Sequence, residues 1–257
     1  MVNIDYQSMI KVISQIIWPI GRFTGLFLAA PFFSSPLIPS RIKVVFIFLL
    51  SWICAFMVPA ELSFEHFNGL YAVYMVQEII FGILMGFVLQ LVFQVFVLVG
   101  QIISMQAGLG FAVMVDPMSS ASVPLISQYY NLMVMLVFLA LGGHVALLEA
   151  VMNSFKIMPI GSLYMENAMV WKIIIFSGWM FKEAVLITIP AIISLLLISL
   201  SIGIVTRVAP QLNIFSLGFP ITLMMAIAII QITLPSVGEQ MVESLEQGMH
   251  FIIGLLH

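Results

Sequence analysis

The sequence predicts an all-α membrane protein with about six long apolar helices arranged in hairpins. Of its 257 residues, 63% are hydrophobic and only 7% are charged, whereas soluble domains average about 45–50% apolar and about 25% charged residues. The mean hydropathy is +1.21. The apolar residues form continuous runs rather than the alternating pattern of strands, and lone strands cannot satisfy their backbone hydrogen bonds in lipid. The chain is therefore an integral membrane protein.

Six apolar runs come close to the roughly 20 residues that a membrane-spanning helix needs. They lie at about Val12–Phe33, Val44–Ala60, Ile79–Gly100, Tyr129–Met152, Ile173–Val205 and Ile214–Leu234. Prolines predict the breaks between runs, because proline lacks the backbone donor that continues a helix. These are Pro31, Pro36, Pro39, Pro59, Pro117 and Pro124, whereas Pro19 and Pro190 lie inside runs and should bend them.

The fifth run is too long for one simple span, and Lys182 and Glu183 interrupt it. It is interpreted as a long, kinked helix whose centre faces protein. The tail Pro235–His257 is interpreted as an amphipathic helix, either on a partner or the membrane surface or, as the favoured alternative, packed within the chain. Its apolar stripe consists of Val237, Met241, Leu245, Met249 and Ile252, and its acids off that stripe are Glu239, Glu243 and Glu246.

Charges in the connections predict an orientation, because cytoplasmic loops are enriched in Lys and Arg. Arg41 and Lys43 lie in the first connection and Arg207 in the last, whereas the second carries Glu61 and Glu65. With six crossings, both termini lie outside and the first, third and fifth connections are cytoplasmic. Lys156 and Lys172 in the fourth connection favour the opposite orientation.

Composition also limits the function. The formal net charge of -3 and eight scattered basic residues give no patch for nucleic acid. One cysteine, Cys54, rules out an intramolecular disulfide, and the four histidines show no metal-ligand spacing. No phosphate-binding loop or nucleophile motif occurs, so no enzyme activity, cofactor or metal is predicted. The N-terminal segment does not resemble a removable signal peptide.

Polar residues inside the apolar runs form a candidate site. Gln90, Gln94 and Gln101 are spaced by four and seven residues, which places them on one helix face. This polar seam either lines an aqueous path or supplies hydrogen bonds between helices. Gly82 and Gly86 on the same run form a GxxxG pattern that permits close helix approach.

Charged residues within the runs are costly in lipid and indicate protein surroundings. Arg22 has no acidic partner nearby in the sequence, and Lys182 and Glu183 point about 100° apart on a helix, so they do not simply neutralise each other. These helices are therefore expected to be buried among other subunits. The stretch Met105–Ser122, MQAGLGFAVMVDPMSSAS, is also unusual, because it is a long connection whose first half has only one polar side chain, Gln106.

Three segments carry a resemblance to a known family. The stretch Gly100–Pro117, GQIISMQAGLGFAVMVDP, resembles the signature of the flagellar biosynthetic protein FliR family, in which a glycine-rich stretch leads into an Asp-Pro pair. The stretch Trp18–Val44, WPIGRFTGLFLAAPFFSSPLIPSRIKV, is similar to the family's first helix and the connection after it. The third match is Arg207–Leu223, RVAPQLNIFSLGFPITL. Together they sample the start, middle and end of the chain.

The resemblance implies a subunit of the flagellar type III secretion export gate, in the bacterial inner membrane at the flagellar basal body. The family is similar to a fusion of two partner subunits, with a FliP-like part at residues 1–165 and a FliQ-like hairpin with its tail at residues 166–257. The implied partners are FliP, FliQ, FlhB and FlhA, unfolded flagellar proteins and membrane lipid. In the family's assembly the subunits pack helically around a central pore, largely displaced outward from the bilayer.

Two candidate sites follow from the resemblance. The first is a pore plug within about Gln106–Ser122, consisting of Gln106, Gly108, Leu109, Gly110, Phe111, Val113, Met114, Val115, Asp116 and Pro117. Its glycines permit left-handed turns, and its apolar side chains could close a constriction by excluding water, with methionine adapting to a changing shape. A loop packed against neighbouring helices is the alternative. The second site is a FliQ-like turn, consisting of Arg207, Pro210, Gln211 and Asn213.

The predicted function is thus a non-enzymatic export-gate subunit that forms, with FliP and FliQ, a gated pore for unfolded flagellar rod, hook and filament proteins. The equivalent subunit of a virulence injectisome is a close alternative, because it shares the fold. A small-solute secondary transporter is a third, from another class. Such transporters often carry internal repeats and a charged site at the midplane, and the sequence has no convincing repeat.

Overall fold

A computed structural model describes residues 6–36, 38–56, 70–109, 124–160, 167–209 and 218–255. These residues form α-helices joined by turns, and no strand occurs in the described ranges. The helices are α1 (Tyr6–Ala29), α2 (Ser40–Ala55), α3 (Leu70–Gln106), α4 (Leu125–Ala140), α5 (Gly143–Ile157), α6 (Asn167–Val208) and α7 (Phe219–Leu255). The predicted all-helical fold is confirmed.

Two helices begin directly after prolines that the sequence indicates as breaks. Pro39 precedes the first residue of α2 and Pro124 precedes the first residue of α4, each with an extended backbone. This placement is favourable because the first helical donors have no partner within the helix. Pro19 and Pro190 lie inside α1 and α6, as expected. Pro59 and Pro117 lie outside the described residues.

Two predicted boundaries are wrong. The run Tyr129–Met152 is not one helix, because α4 ends at Ala140 and α5 begins at Gly143. Gly142 between them has φ +68°, a left-handed conformation that ends a helix and that glycine adopts without steric cost. The sixth run does not end at Leu234 either, since α7 continues through Pro235 to Leu255, so that the tail is helical as predicted but belongs to the same helix.

The long helices have the length and composition to cross a membrane. Among the described residues, α3, α6 and α7 qualify, and α4 with α5 would make a fourth span if the pair acts as one. The predicted count of six membrane-spanning helices is therefore not confirmed. With 42 residues, α6 is about 63 Å long, twice the roughly 30 Å hydrocarbon core. Only 22% of the most apolar part of α6 and 17% of that of α7 is buried within the chain.

The chain divides into two compact units. The first comprises Met1–Leu91, Gly142–Ile175 and Glu246–His257, and the second comprises Val92–Leu141 and Phe176–Leu245. In the first unit, α1 and α3 run in the same direction, since Gly21 faces Glu78 and Gly86 faces Ala30 further along both helices. The helices touch backbone to backbone between these points, and this is the close approach that the GxxxG pattern permits.

The second unit has an apolar core between α3 and α4. Phe93 and Phe138 meet edge to face with ring centroids 5.7 Å apart. Gly100 on α3 lies against the backbone of Ser127 on α4, and a methyl group at Gly100 would lie 2.7 Å from the Ser127 nitrogen. This contact fixes the last two turns of α3, from which the glycine-rich segment leaves.

Candidate functional site

The end of α3 is closed by a left-handed glycine turn. The backbone N–H of Leu109 donates to the Ser104 carbonyl at 3.0 Å, and that of Gly108 donates to the Met105 carbonyl at 3.1 Å. Gly108 has φ +84°. These bonds and this dihedral angle define a Schellman motif, which satisfies two of the carbonyls that a helix leaves unpaired at its end. The left-handed turn that the sequence allows at Gly108 is therefore present.

The same turn contacts the beginning of α7. A methyl group at Gly108 would lie 3.2 Å from Cδ2 of Phe219, so the phenyl ring covers the glycine. The Thr222 hydroxyl lies 3.3 Å from the Ala107 carbonyl oxygen and 3.0 Å from the carbonyl oxygen of Phe219. Ala107 is fully buried. The first turn of α7 thus packs on the glycine and offers a donor to a buried helix-end carbonyl.

Among the plug residues predicted from the sequence, three are described and belong to this cap. Gln106 is the last residue of α3, and Gly108 and Leu109 form the turn after it. The others, Gly110, Phe111, Val113, Met114, Val115, Asp116 and Pro117, lie outside the described residues. The structure therefore describes only the first residues of the predicted plug segment, which stays a prediction, and these residues contact α7. Phe219 and Thr222 are not among the predicted residues, although both lie within the stretch Arg207–Leu223 that resembles the family.

The polar seam lies on the partly exposed face of α3. Gln90, Gln94 and Gln101 are all half-buried, whereas Val92 and Phe96, which point to the other side, are buried. No hydrogen bond between one of the three amides and another described residue is present in the structure. Because an amide in an apolar setting needs a partner or water, these side chains are available to groups outside the chain. Their role stays a prediction.

The second candidate site is described only at its start. Arg207 is exposed in the last turn of α6, where a cation interacts favourably with the helix dipole. The backbone N–H of Ala209 donates to the Val205 carbonyl at 2.9 Å, an α-helical bond at the C-terminal end of α6. Pro210, Gln211 and Asn213 lie outside the described residues, so the FliQ-like turn stays a prediction.

A buried ion pair that the sequence analysis did not identify joins three helices of the first unit. The Arg22 guanidinium on α1 donates to both carboxylate oxygens of Glu78 on α3, at 2.7 and 3.1 Å. It also donates to the Ser154 hydroxyl on α5 at 2.6 Å. The rings of Phe81 and Phe155 lie over the guanidinium at 4.7 and 3.9 Å. Arg22 therefore has an acidic partner within its own chain, and the expected partner subunit is not needed to neutralise it.

Lys182 and Glu183 behave differently from Arg22. Lys182 is exposed and Glu183 is half-buried, and large apolar side chains beside them, including Phe181 and Val185, are exposed as well. One face at the centre of α6 is thus not covered by the rest of the chain, whereas Met180 and Ala184 on another face are buried. The expectation that other subunits cover it stays a prediction.

The described residues offer little for metal or nucleophilic chemistry. Within these ranges, no group of three or more His, Cys, Asp or Glu side chains could hold a metal ion. Cys54 is a free and fully buried thiol.

Comparison with known proteins agrees with these features. The family model of the bacterial export proteins, family 1, matches residues 13–248. The flagellar biosynthetic protein FliR of Buchnera aphidicola subsp. Baizongia pistaciae is 33% identical over 91% of both chains. The FliR protein of Escherichia coli K12 is 29% identical, covering 91% of this chain and 90% of its own. The surface presentation of antigens protein SpaR of Shigella sonnei is 33% identical over 81% of this chain and 80% of its own. The chain therefore belongs to family 1 of the bacterial export proteins.

Proposed function

We propose that the chain is the flagellar member of the type III secretion export gate, in the bacterial inner membrane at the flagellar basal body. With FliP and FliQ it would form a gated pore for unfolded rod, hook and filament proteins, next to FlhB and FlhA. The observation that carries this proposal is the similarity to flagellar FliR proteins over 91% of this chain. Because the similarity covers nearly the whole length, it supports a shared role of the entire chain, which similarity of one module alone would not do.

The proposal includes the arrangement of the subunit. Residues 1–165 would correspond to the FliP-like part and residues 166–257 to the FliQ-like hairpin, assembled with neighbouring subunits. The open apolar faces of α6 and α7 support this, because large apolar surfaces need lipid or protein to cover them. The half-buried Gln90, Gln94 and Gln101 would face the pore or a neighbouring subunit.

We further propose that the segment after the α3 cap is the pore plug. A pore for unfolded polypeptides must exclude ions when idle, and an apolar segment does so by excluding water. The Schellman turn at Gly108 supports this, because it gives the segment a fixed starting point at the buried end of α3. The FliQ-like turn around Gln211 and Asn213 would lie on the cytoplasmic side.

Gene replacement and purification test the subunit assignment. A strain that lacks its own FliR should regain motility and hook-protein secretion when it expresses this chain together with its cognate FliP and FliQ. The tagged chain should also be purified from the membrane in one complex with those two proteins. Recovery of a monomer that restores neither motility nor secretion would contradict the proposal.

Shortening the segment tests the plug. The deletion should remove Gly110–Val115 only, because Gly108 and Leu109 belong to the helix cap. We expect normal amounts of assembled complex and an increased leak of ions or small solutes when export is idle. If the segment served only for packing, the deletion would instead reduce the amount of assembled complex. Normal assembly without added leak would exclude the plug.

The injectisome subunit is a second candidate, favoured by the 33% identity with SpaR of Shigella sonnei. It differs from the flagellar candidate in its substrates and partner subunits. Expression of the chain in a SpaR-deficient strain separates the two. Restored secretion of virulence effectors there, without rescue of motility in the flagellar strain, would favour the injectisome.

A further inference from the structure

The two sides of α2 differ in the size of their side chains. α2 packs on α1 within the first unit, and its buried side chains, Ser51, Cys54 and Ala55, are all small. On the opposite side the exposed side chains are large and apolar, and they include Val45, Phe48, Leu49, Trp52, Ile53 and Phe56. We call this set the outer face of α2. At 100° per residue it covers about half of the helix circumference.

The composition of the outer face fits lipid better than protein. Small residues mark the surfaces where membrane helices meet, because they let two backbones approach closely, and in α2 those residues are already buried within the chain. Protein interfaces also carry hydrogen bonds and a polar rim. Apart from the Trp52 indole, the outer face has no polar group, since Ser51 is buried and its hydroxyl donates to the Ile47 carbonyl at 2.7 Å. Branched and aromatic side chains without polar neighbours match acyl chains.

The charged part of α2 is its first turn. Arg41 is exposed, Lys43 is half-buried, and the turn contains no acidic residue. Neither cation forms an ion pair with another residue in the part of the chain that the structure describes. Because the helix dipole opposes a cation at the beginning of a helix, both side chains gain from an external anion. Arg41 lies on the same side of the helix as Val45, Phe48 and Trp52, which follow it by 4, 7 and 11 residues.

We propose that the outer face of α2 lies against the acyl chains of the bilayer, and that Arg41 and Lys43 bind the headgroups of anionic phospholipids where the helix begins. Cations above an apolar surface are complementary to one layer of such lipids. The helix rises about 17 Å from Arg41 to Trp52, and half of the hydrocarbon core measures about 15 Å, so Trp52 lies deep among the acyl chains. Its ring continues the row of Phe48 and Phe56, with centroids 6.2 and 6.4 Å away. This lipid contact does not depend on the export-gate assignment.

Trp52 is a natural reporter for this surface. Of the four tryptophans of the chain, Trp18 is buried, and Trp171 and Trp179 lie on α6. The double variant Trp171→Phe, Trp179→Phe therefore keeps Trp52 as its exposed tryptophan, and addition of Trp52→Phe gives the background signal of Trp18. The full chain, with the subunits that co-purify with it, is placed in lipid nanodiscs. The lipids carry bromine in the middle of their acyl chains, because bromine quenches indole fluorescence on contact.

Two lipid mixtures separate contact with acyl chains from binding of headgroups. Nanodiscs made entirely of brominated phosphatidylcholine should quench Trp52 strongly. A low mole fraction of brominated phosphatidylglycerol should quench it more than the same fraction of brominated phosphatidylcholine, because each cation favours an anionic lipid about 5-fold. High salt should weaken this preference through screening.

Removal of the two cations tests their role. Arg41→Gln with Lys43→Gln should abolish the preference for phosphatidylglycerol, whereas full quenching by brominated phosphatidylcholine should stay unchanged and show that α2 remains in place. Lys156→Gln removes another exposed lysine and should keep the preference. Absence of quenching in brominated phosphatidylcholine would show that protein covers the outer face, and the proposal would be overturned. Equal quenching by the two lipids at low fraction, or a preference that persists in the glutamine variant, would equally overturn the binding of anionic headgroups by Arg41 and Lys43.

Discussion

Arg22 on α1 and Glu78 on α3 form a bidentate ion pair although they lie 56 residues apart in the sequence. Both side chains are buried, with 2% and 7% of their surface exposed. Two charges in the core of a membrane protein are tolerated because each hydrogen-bonding group of the guanidinium has an acceptor and two aromatic rings cover its faces. The pair ties α1 to α3 where their backbones touch.

The first prediction concerns this pair. Glu78→Leu leaves the Arg22 guanidinium buried without its counter-ion, which costs about 3–5 kcal/mol. We expect a strong decrease in the amount of chain in the membrane and in its resistance to protease across a temperature series. The double variant Arg22→Met, Glu78→Leu removes both charges and should regain most of the lost stability. Equal losses in the single and double variants would show that Glu78 acts through packing and not through charge.

The helices could be predicted from the sequence because continuous apolar runs have few other solutions in lipid. Their ends could not, because they depend on caps and turns. The run Ile79–Gly100 extends at both ends to give α3, Leu70–Gln106, since a helix continues past its apolar residues until a turn such as Gly108 ends it. The break at Gly142 is hidden inside an apolar run and shows only in the backbone angle.

Contacts between distant residues were beyond the sequence analysis. Spacing within one helix places residues on a face, but it does not say which helix meets that face. The sequence marks Arg22 as an unusual charge and Gly108 as a turn, but it does not show that Glu78, Phe219 and Thr222 are their partners. The rule that each buried charge needs an opposite charge would have suggested Glu78, since the second connection and α3 contain few acids.

A second prediction concerns orientation. Arg41 and Arg207 are exposed in the chain, and Cys54 is fully buried, so Cys54→Ala gives a suitable background for single cysteines. If both connections are cytoplasmic, Arg41→Cys and Arg207→Cys should resist a membrane-impermeant thiol reagent in intact cells. Both should react after permeabilisation, whereas a cysteine in Glu61–Phe67 should react in intact cells. Labelling of Arg207→Cys in intact cells would contradict the predicted orientation and favour the opposite one.

A third prediction concerns the polar seam. Gln94 and Gln101 have no hydrogen-bond partner among the described residues and lie on the open face of α3. Gln94→Leu and Gln101→Leu should therefore change the stability of the chain itself by less than about 0.5 kcal/mol. Protein export should fall in both variants. Val97→Leu, on the same face of α3, removes no amide and serves as the control. Reduced complex yield would indicate hydrogen bonds to a partner subunit, whereas normal yield with reduced export indicates a water-lined path.

The last prediction concerns the glycines between α1 and α3. A methyl group at Gly25 would overlap the Ile79 carbonyl and lie 2.8 Å from the Ile83 nitrogen. Because both neighbours are backbone atoms, the helices must move apart, and such overpacking costs about 1–3 kcal/mol. Gly178, inside α6, has no other atom within 4 Å of the same position. There, alanine should stabilise the helix by about 0.5–1 kcal/mol, because glycine loses more backbone entropy on folding.

The two substitutions should therefore have opposite effects on the stability of the chain. Gly25→Ala should lower the amount of protease-resistant chain in the membrane, and Gly178→Ala should leave it unchanged or raise it. The amount of assembled complex should be measured as well, to separate an effect on assembly from an effect on chain stability. Gly178 is exposed on the uncovered face of α6, where a neighbouring subunit could contact it. Gly178→Ala with a stable chain but little complex would locate that subunit on α6. A stable chain with Gly25→Ala would contradict the close approach of α1 and α3, because a methyl group cannot occupy a position that the Ile79 carbonyl already fills.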